Sequence, residues 1–91
     1  MSHTSANKDQ LLARTRRIAG QIAAIERAIG DEAGCAAILH QVAGVRGAIV
    51  GLMDELVADH LQSHVVAPGL SDAERAEGGE DLLAAIRRYA K

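Results

Sequence analysis

The chain has 91 residues and is 48% apolar, yet Tyr89 is its only aromatic residue and Cys35 its only cysteine. So short a chain cannot bury a large private core, and one cysteine cannot close an intrachain disulfide, which fits a reducing, cytoplasmic setting. A formal charge of −2 argues against a protein that coats nucleic acid through bulk positive charge. The composition predicts one small domain over residues 1–91, with a Leu, Ile, Val and Ala core that an oligomer completes. No signal peptide is visible, and no apolar run reads as long enough to span a membrane, so no membrane partner is expected.

Residues 1–6 are polar and read as a mobile N-terminus. Helix 1 is predicted over about 7–29. Its Leu11, Ile18, Ile22, Ile25 and Ile29 recur at spacings of seven, four, three and four, which is one helical stripe. Gly30 reads as its stop. Helix 2 is predicted over about 32–66, free of proline, with Asp31 and Glu32 suiting its positive N-terminal end. It carries two apolar seams: Cys35, Val42, Ile49 and Leu56, and beside them Ile38, Val45 and Leu52. Leu39 and Met53 widen the stripe. Gly44, Gly47, Ala48 and Gly51 cost helix propensity and predict a close helix crossing. Ala67-Pro68-Gly69 ends the run. Ser71-Asp72-Ala73-Glu74 reads as a capping box opening helix 3, over about 71–90. Gly78-Gly79 weakens the first half of that helix, and Leu82, Leu83, Ile86 and Tyr89 give the second half an apolar face. With no strand signal and no internal repeat, the fold class is all-α, a three-helix subunit with a long helix 2.

Cys35 and His60 lie 25 residues apart on that long helix. At about 1.5 Å per residue the separation is roughly 37 Å. One chain cannot join them without breaking the helix. Antiparallel pairing with a twin brings Cys35 of one protomer to His60 and His64 of the other, once at each end of a dimer. The midpoint of Cys35 and His60 falls at Gly47 and Ala48, among the small residues. His60 and His64 lie one turn apart, a spacing that chelates one ion. A thiolate with two imidazoles is a transition-metal donor set. Taken singly, the same residues also read as a small core cysteine and two solvated histidines. His3 is a fourth candidate ligand. If Met1 is removed, as the small Ser2 favours, the Ser2 amine stands beside it, and this donor set suits nickel or cobalt. His40 points to another side of helix 2 and reads as a surface or packing residue.

The charge is unevenly spread. Residues 1–27 carry Lys8, Arg14, Arg16, Arg17 and Arg27 against Asp9 and Glu26, a net of +3. Lys8, Arg14, Arg16 and Arg17 are candidate phosphate contacts, and Arg46 is a further one, although so few charges also read as a solvated helix surface. No nucleophile–base pairing and no enclosed carboxylate pair is visible, so the chain does not read as an enzyme.

Arg14-Thr15-Arg16-Arg17-Ile18-Ala19-Gly20-Gln21, Cys35-Ala36-Ala37-Ile38-Leu39, Val45-Arg46-Gly47-Ala48, Gly51-Leu52-Met53 and His60 together resemble the CsoR/RcnR family of bacterial metal-sensing repressors, which also contains formaldehyde sensors. The similarity spans nearly the whole chain. Ser2-His3-Thr4 and His64 look most like the nickel/cobalt-responsive branch. The resemblance implies an antiparallel four-helix-bundle dimer and a dimer-of-dimers homotetramer. It implies that the metal-free protein binds its operator, and that the inducer releases it to switch on an efflux or detoxification gene. It places the ligands at His3, Cys35, His60 and His64, with the Ser2 amine beside them, and the DNA contacts on helix 1. Some nickel/cobalt members carry acids where this chain has Gly34 and Ser63, a departure that favours four-coordinate zinc or cobalt. Copper(I) members have a second cysteine where this chain has His64. Formaldehyde sensors share Cys35 but tend to have proline in place of Ser2. The leading expectation is therefore a divalent-metal-responsive repressor. A formaldehyde- or electrophile-responsive repressor acting through Cys35 is second, and a ligand-free helical scaffold third.

Overall fold

The structure is a computed structural model that describes residues 7–89. It contains three helices and, among the described residues, no strand: α1 (Lys8–Gly30), α2 (Cys35–His64) and α3 (Asp72–Tyr89). The chain is all-α, as the hydrophobic periodicities require. It divides into two compact units, one of residues 7–53 and one of residues 54–89 within the described chain.

In the first unit, α1 does not stop at Gly30 by using that glycine's freedom. The stop is two residues later. Glu32 adopts the left-handed conformation with φ of 56°. Its N–H donates to the Ile29 carbonyl at 3.1 Å, and the Ala33 N–H donates to the Ala28 carbonyl at 2.9 Å. Those two bonds are a Schellman closure with glutamate where glycine is usual. Asp31 and Glu32 therefore belong to the end of α1 and not to the start of α2. That corrects the expected start of the second helix. The Gly34 carbonyl accepts the Ile38 N–H at 3.2 Å, so Gly34 is the N-cap and Cys35 the first helical residue.

The apolar stripe of α1 also divides. Leu11 is buried, with Ile18 and Ile25 half-buried on the same side, whereas Ile22 and Ile29 are exposed. In α2 the Ile38, Val45 and Leu52 seam is the covered one, and Val45 is only 5% exposed. Cys35, Val42 and Ile49, the neighbouring seam, face solvent, as do Leu39 and Val50. Leu11 and Val45 are the only buried hydrophobic residues described. Each aliphatic side chain left out contributes about 1.5–3 kcal/mol when covered. Gly51 serves its own chain, because a Cβ there would lie 2.9 Å from Arg14 Nη1. Gly44 and Gly47 have open space beside them.

One expectation about α2 is corrected. Over 18 residues its mean hydropathy reaches 1.5, so it is long and apolar enough to cross a membrane by length and composition. The single cation Arg46 interrupts the run without lowering its average enough. The same property marks a helix whose apolar surface is meant for protein.

In the second unit, α2 ends at His64 and the Val65 and Val66 N–H groups both donate to the Leu61 carbonyl. Gly69, with φ of 85°, turns the chain. The Arg75 guanidinium donates to the carbonyls of Val65 and Ala67, tying α3 to the connection before it. The capping box forms as the sequence predicts: the Ser71 N–H donates to Glu74 Oε1 and the Glu74 N–H to Ser71 Oγ, both at 3.0 Å.

Replacing Glu32 with glycine tests the closure. A left-handed non-glycine residue costs about 1–2 kcal/mol, partly offset by the entropy glycine loses on folding. Glu32→Gly is expected to raise the thermal midpoint slightly. A clear fall would show that Glu32 is not left-handed in solution.

A histidine cleft as candidate metal centre

The last two turns of α2 carry His60 and His64 on one face. Their ring centroids are 4.9 Å apart, with planes tilted by 42°. Both rings are half-buried. They line a cleft of about 340 Å3 together with Leu70, Glu74, Glu77, Gly78 and Asp81.

His60 is held by α3. Its Nε2 lies 2.9 Å from the Gly78 carbonyl oxygen. A carbonyl only accepts, so Nε2 carries the hydrogen and donates. In the neutral ring the hydrogen then sits on Nε2, and Nδ1 is the acceptor nitrogen. A metal-binding imidazole usually donates its second nitrogen in this way, which fixes the ring and its tautomer.

Three carboxylates, Glu74, Glu77 and Asp81, share that cleft. Their spacing of three and four residues places them on one face of α3. The sequence displays this spacing, but there Glu74 reads only as a cap. The Ser71 backbone N–H, and secondarily the Ser71 hydroxyl, hold the Glu74 carboxyl below its ordinary range. Because its folded value is depressed, the stabilisation is present above the unfolded value and is lost as pH falls through the folded one. Glu74 thus stays anionic beside the imidazoles, and the acidic rim favours a cation.

Two imidazoles with an acidic rim fit a borderline divalent metal. They do not complete a coordination sphere. Among the described residues no three His, Cys, Asp or Glu side chains group closely enough to hold an ion. Cys35 is exposed at the opposite end of α2. The 25 residues from Cys35 to His60 rise about 37 Å along one continuous helix. His3 and the Ser2 amine lie outside the described residues. His40 is exposed on a separate cleft with Gln21, Ala24, Gln41 and Gly44, none of which is a strong metal ligand.

The basic residues of α1 are also placed. Arg14 and Arg17 line one cleft of about 320 Å3 with Gln10, Ala13, Gln21 and Ala48. Arg14 is half-buried, with its guanidinium over Gly51, whereas Lys8, Arg16 and Arg17 are exposed. Arg46 is exposed on α2. Gly51 was read as a helix-crossing residue, and its value to Arg14 is visible only in the structure.

The family described as metal-sensitive transcriptional repressor matches residues 7–88. The transcriptional repressor RcnR of Salmonella arizonae is 41% identical over 91 residues, covering all of both chains. RcnR of Escherichia coli O9:H4 is 38% identical over the same complete span. Among solved structures, a histidine-for-glutamate variant of the formaldehyde-responsive regulator FrmR from Salmonella enterica serovar Typhimurium matches with a TM-score of 0.88 and 41% identity. That match covers 97% of this chain and 99% of FrmR.

The hydrogen bond to Gly78 carries a direct test. Nitrogen-15 NMR of the metal-free protein at a pH where His60 is neutral is expected to show it as the Nε2–H tautomer. An Nδ1–H pattern would contradict the hydrogen bond.

Proposed function

The chain belongs to the metal-sensitive transcriptional repressors, the CsoR/RcnR family, and from that premise we propose that it is a metal-released repressor. In this reading the metal-free protein holds operator DNA. Binding of a divalent transition metal, nickel or cobalt with zinc as a further candidate, releases it and turns on an efflux or detoxification gene. Family membership makes the chain a transcriptional regulator and not an enzyme. It acts in the cytoplasm.

The observation that carries the reading is the pair of imidazoles in one acid-rimmed cleft, with His60 oriented by the Gly78 carbonyl. Cys35 of the partner subunit supplies the thiolate, because a continuous α2 keeps a chain's own Cys35 away from its own histidines. Val42 and Ile49, exposed on the seam that starts at Cys35, provide the apolar surface for antiparallel pairing. Gly44 and Gly47, with open space beside them, permit close approach. A dimer of such dimers multiplies the basic face of α1. His3 and the Ser2 amine complete the proposed ligand set.

DNA binding rests on Lys8, Arg14, Arg16 and Arg17, with Arg46 as an additional contact. These neutralise phosphates, so affinity falls steeply with salt. No helix reads as a base-reading element, and DNA shape contributes the specificity. Release requires only that the metal bind more tightly to the arrangement that no longer fits DNA. A ligand from residues 1–6 would connect the metal to the start of α1, next to Lys8.

A second reading keeps the fold and the DNA surface and makes Cys35 the sensor of formaldehyde. Its support is the exposed sulfur and the similarity to formaldehyde-responsive FrmR. His64 separates the two, because aldehyde chemistry needs Cys35 but not that imidazole.

Operator retention decides between them. Cobalt(II) or nickel(II) is expected to release wild-type protein from operator DNA. His64→Ala should bind DNA normally when metal-free and need about 10–100-fold more metal for release. Release of wild type and His64→Ala alike by formaldehyde, with metals ineffective on both, would establish the aldehyde reading instead.

A further inference from the structure

We propose that Gly51 is a positioning residue for DNA binding, the gap on α2 in which the Arg14 guanidinium is seated. The inference rests on the reading of Arg14 as a phosphate contact and names what holds that side chain in place.

Arg14 differs from its basic neighbours. Lys8, Arg16 and Arg17 are exposed, whereas Arg14 is half-buried. Its guanidinium lies where a side chain at 51 would go: a Cβ on Gly51 would stand 2.9 Å from Arg14 Nη1 and 3.9 Å from Cζ. Ala48, nearly one turn earlier on α2, lines the cleft that Arg14 and Arg17 share. Two small residues three apart thus leave a hollow on one face of α2. An arginine laid against a helix has lost rotamers before it meets DNA, so less ordering entropy is lost on contact. Its planar fork is then presented to a phosphate in one orientation.

Gly78 gives the contrast. A Cβ there would strike the His64 carbonyl oxygen, which belongs to helix backbone and has no rotamer to escape into. At Gly51 the obstacle is the far end of a flexible side chain. A methyl group at 51 therefore displaces the guanidinium and leaves α1 packed on α2. It also replaces a poor helix former with the best one. The consequences for the fold and for DNA run in opposite directions, and a general loss of packing does not produce that pattern.

The experiment uses the full chain, free of metal, and a fluorescent duplex that wild type selects from random-sequence DNA. Wild type, Gly51→Ala, Gly79→Ala, Arg14→Ala and Gly51→Ala/Arg14→Ala are compared. A Cβ at 79 meets nothing within 4 Å, so Gly79→Ala reports the gain in helix propensity alone and should bind DNA as wild type does. Gly51→Ala is expected to keep the oligomeric state and a thermal midpoint at or above that of wild type. It should nevertheless bind the duplex about 2–10-fold more weakly for each Arg14 in contact. Added to Arg14→Ala, it should cost nothing further. Gly51→Ala binding as tightly as Gly79→Ala overturns the inference, as does an equal loss in the Arg14→Ala background or a change of oligomeric state. Nitrogen-15 relaxation of the arginine Nε–H groups in wild type tests the seat directly. Arg14 should be more ordered than Arg16 on the ps–ns timescale, and equal order overturns the inference even if Gly51→Ala does not fold. Full-strength binding by Arg14→Ala removes Arg14 from the DNA surface and the inference with it. A wild-type chain that selects no duplex removes the repressor reading as well.

Discussion

An uninterrupted α2 is the constraint on which the rest depends. Thirty helical residues run from Cys35 to His64 without a break. The helix is stiff, so the thiol and the imidazoles stand at opposite ends of it. The helix is also more apolar than its own chain can cover: Val45 is its only buried residue, while Leu39, Val42, Ile49 and Val50 stay exposed. These two facts point to the same remedy. In the proposed assembly, a second copy laid antiparallel would cover apolar surface and return a thiolate to each pair of histidines. Chemistry and stability would then depend on a single interface, which is an economical way for a chain of 91 residues to build a sensor.

The cleft at the end of α2 shows how the two imidazoles of the proposed site are arranged within one chain. The two imidazoles come from i, i+4 spacing. Their order comes from α3, which contributes a carbonyl to His60 and a row of carboxylates to the rim. The resemblance to nickel/cobalt-responsive repressors leads one to expect acids where this chain has Gly34 and Ser63. The carboxylates that line the histidine cleft, Glu74, Glu77 and Asp81, are on α3. The capping box couples to this arrangement, since the Ser71 bonds that start α3 also lower the Glu74 carboxyl below its ordinary range.

The sequence made the elements legible wherever the deciding partners are close in the chain. The Ser71–Glu74 box is such a case, with both hydrogen bonds made across three residues. So is the His60–His64 pair. Legibility failed where a residue's reason lies across the fold. Ile22 and Ile29 belong to the α1 stripe by period, but one neighbouring helix covers only part of it. Asp31 and Glu32 look like helix-starting acids, yet the left-handed turn at Glu32 assigns them to the helix before. Gly51 and Gly78 look alike as helix-weakening glycines. Only the structure shows that one accommodates an arginine side chain and the other a backbone carbonyl. The membrane-like hydropathy of α2 is invisible to a reading that stops at Arg46, and an average over 18 residues recovers it.

Mixed oligomers test the central claim most directly. Cys35→Ala chains and His60→Ala/His64→Ala chains are unfolded together, refolded as a mixture, and titrated with cobalt(II). Neither variant alone can offer thiolate and imidazoles together. If the site spans two subunits, each mixed antiparallel dimer regains one complete site. The thiolate-to-cobalt charge-transfer band then returns at about a quarter of its wild-type intensity for random pairing of a symmetric dimer. If the mixture shows no more of that band than the separate variants, the thiolate and the imidazoles do not meet across subunits. The antiparallel account would then be wrong.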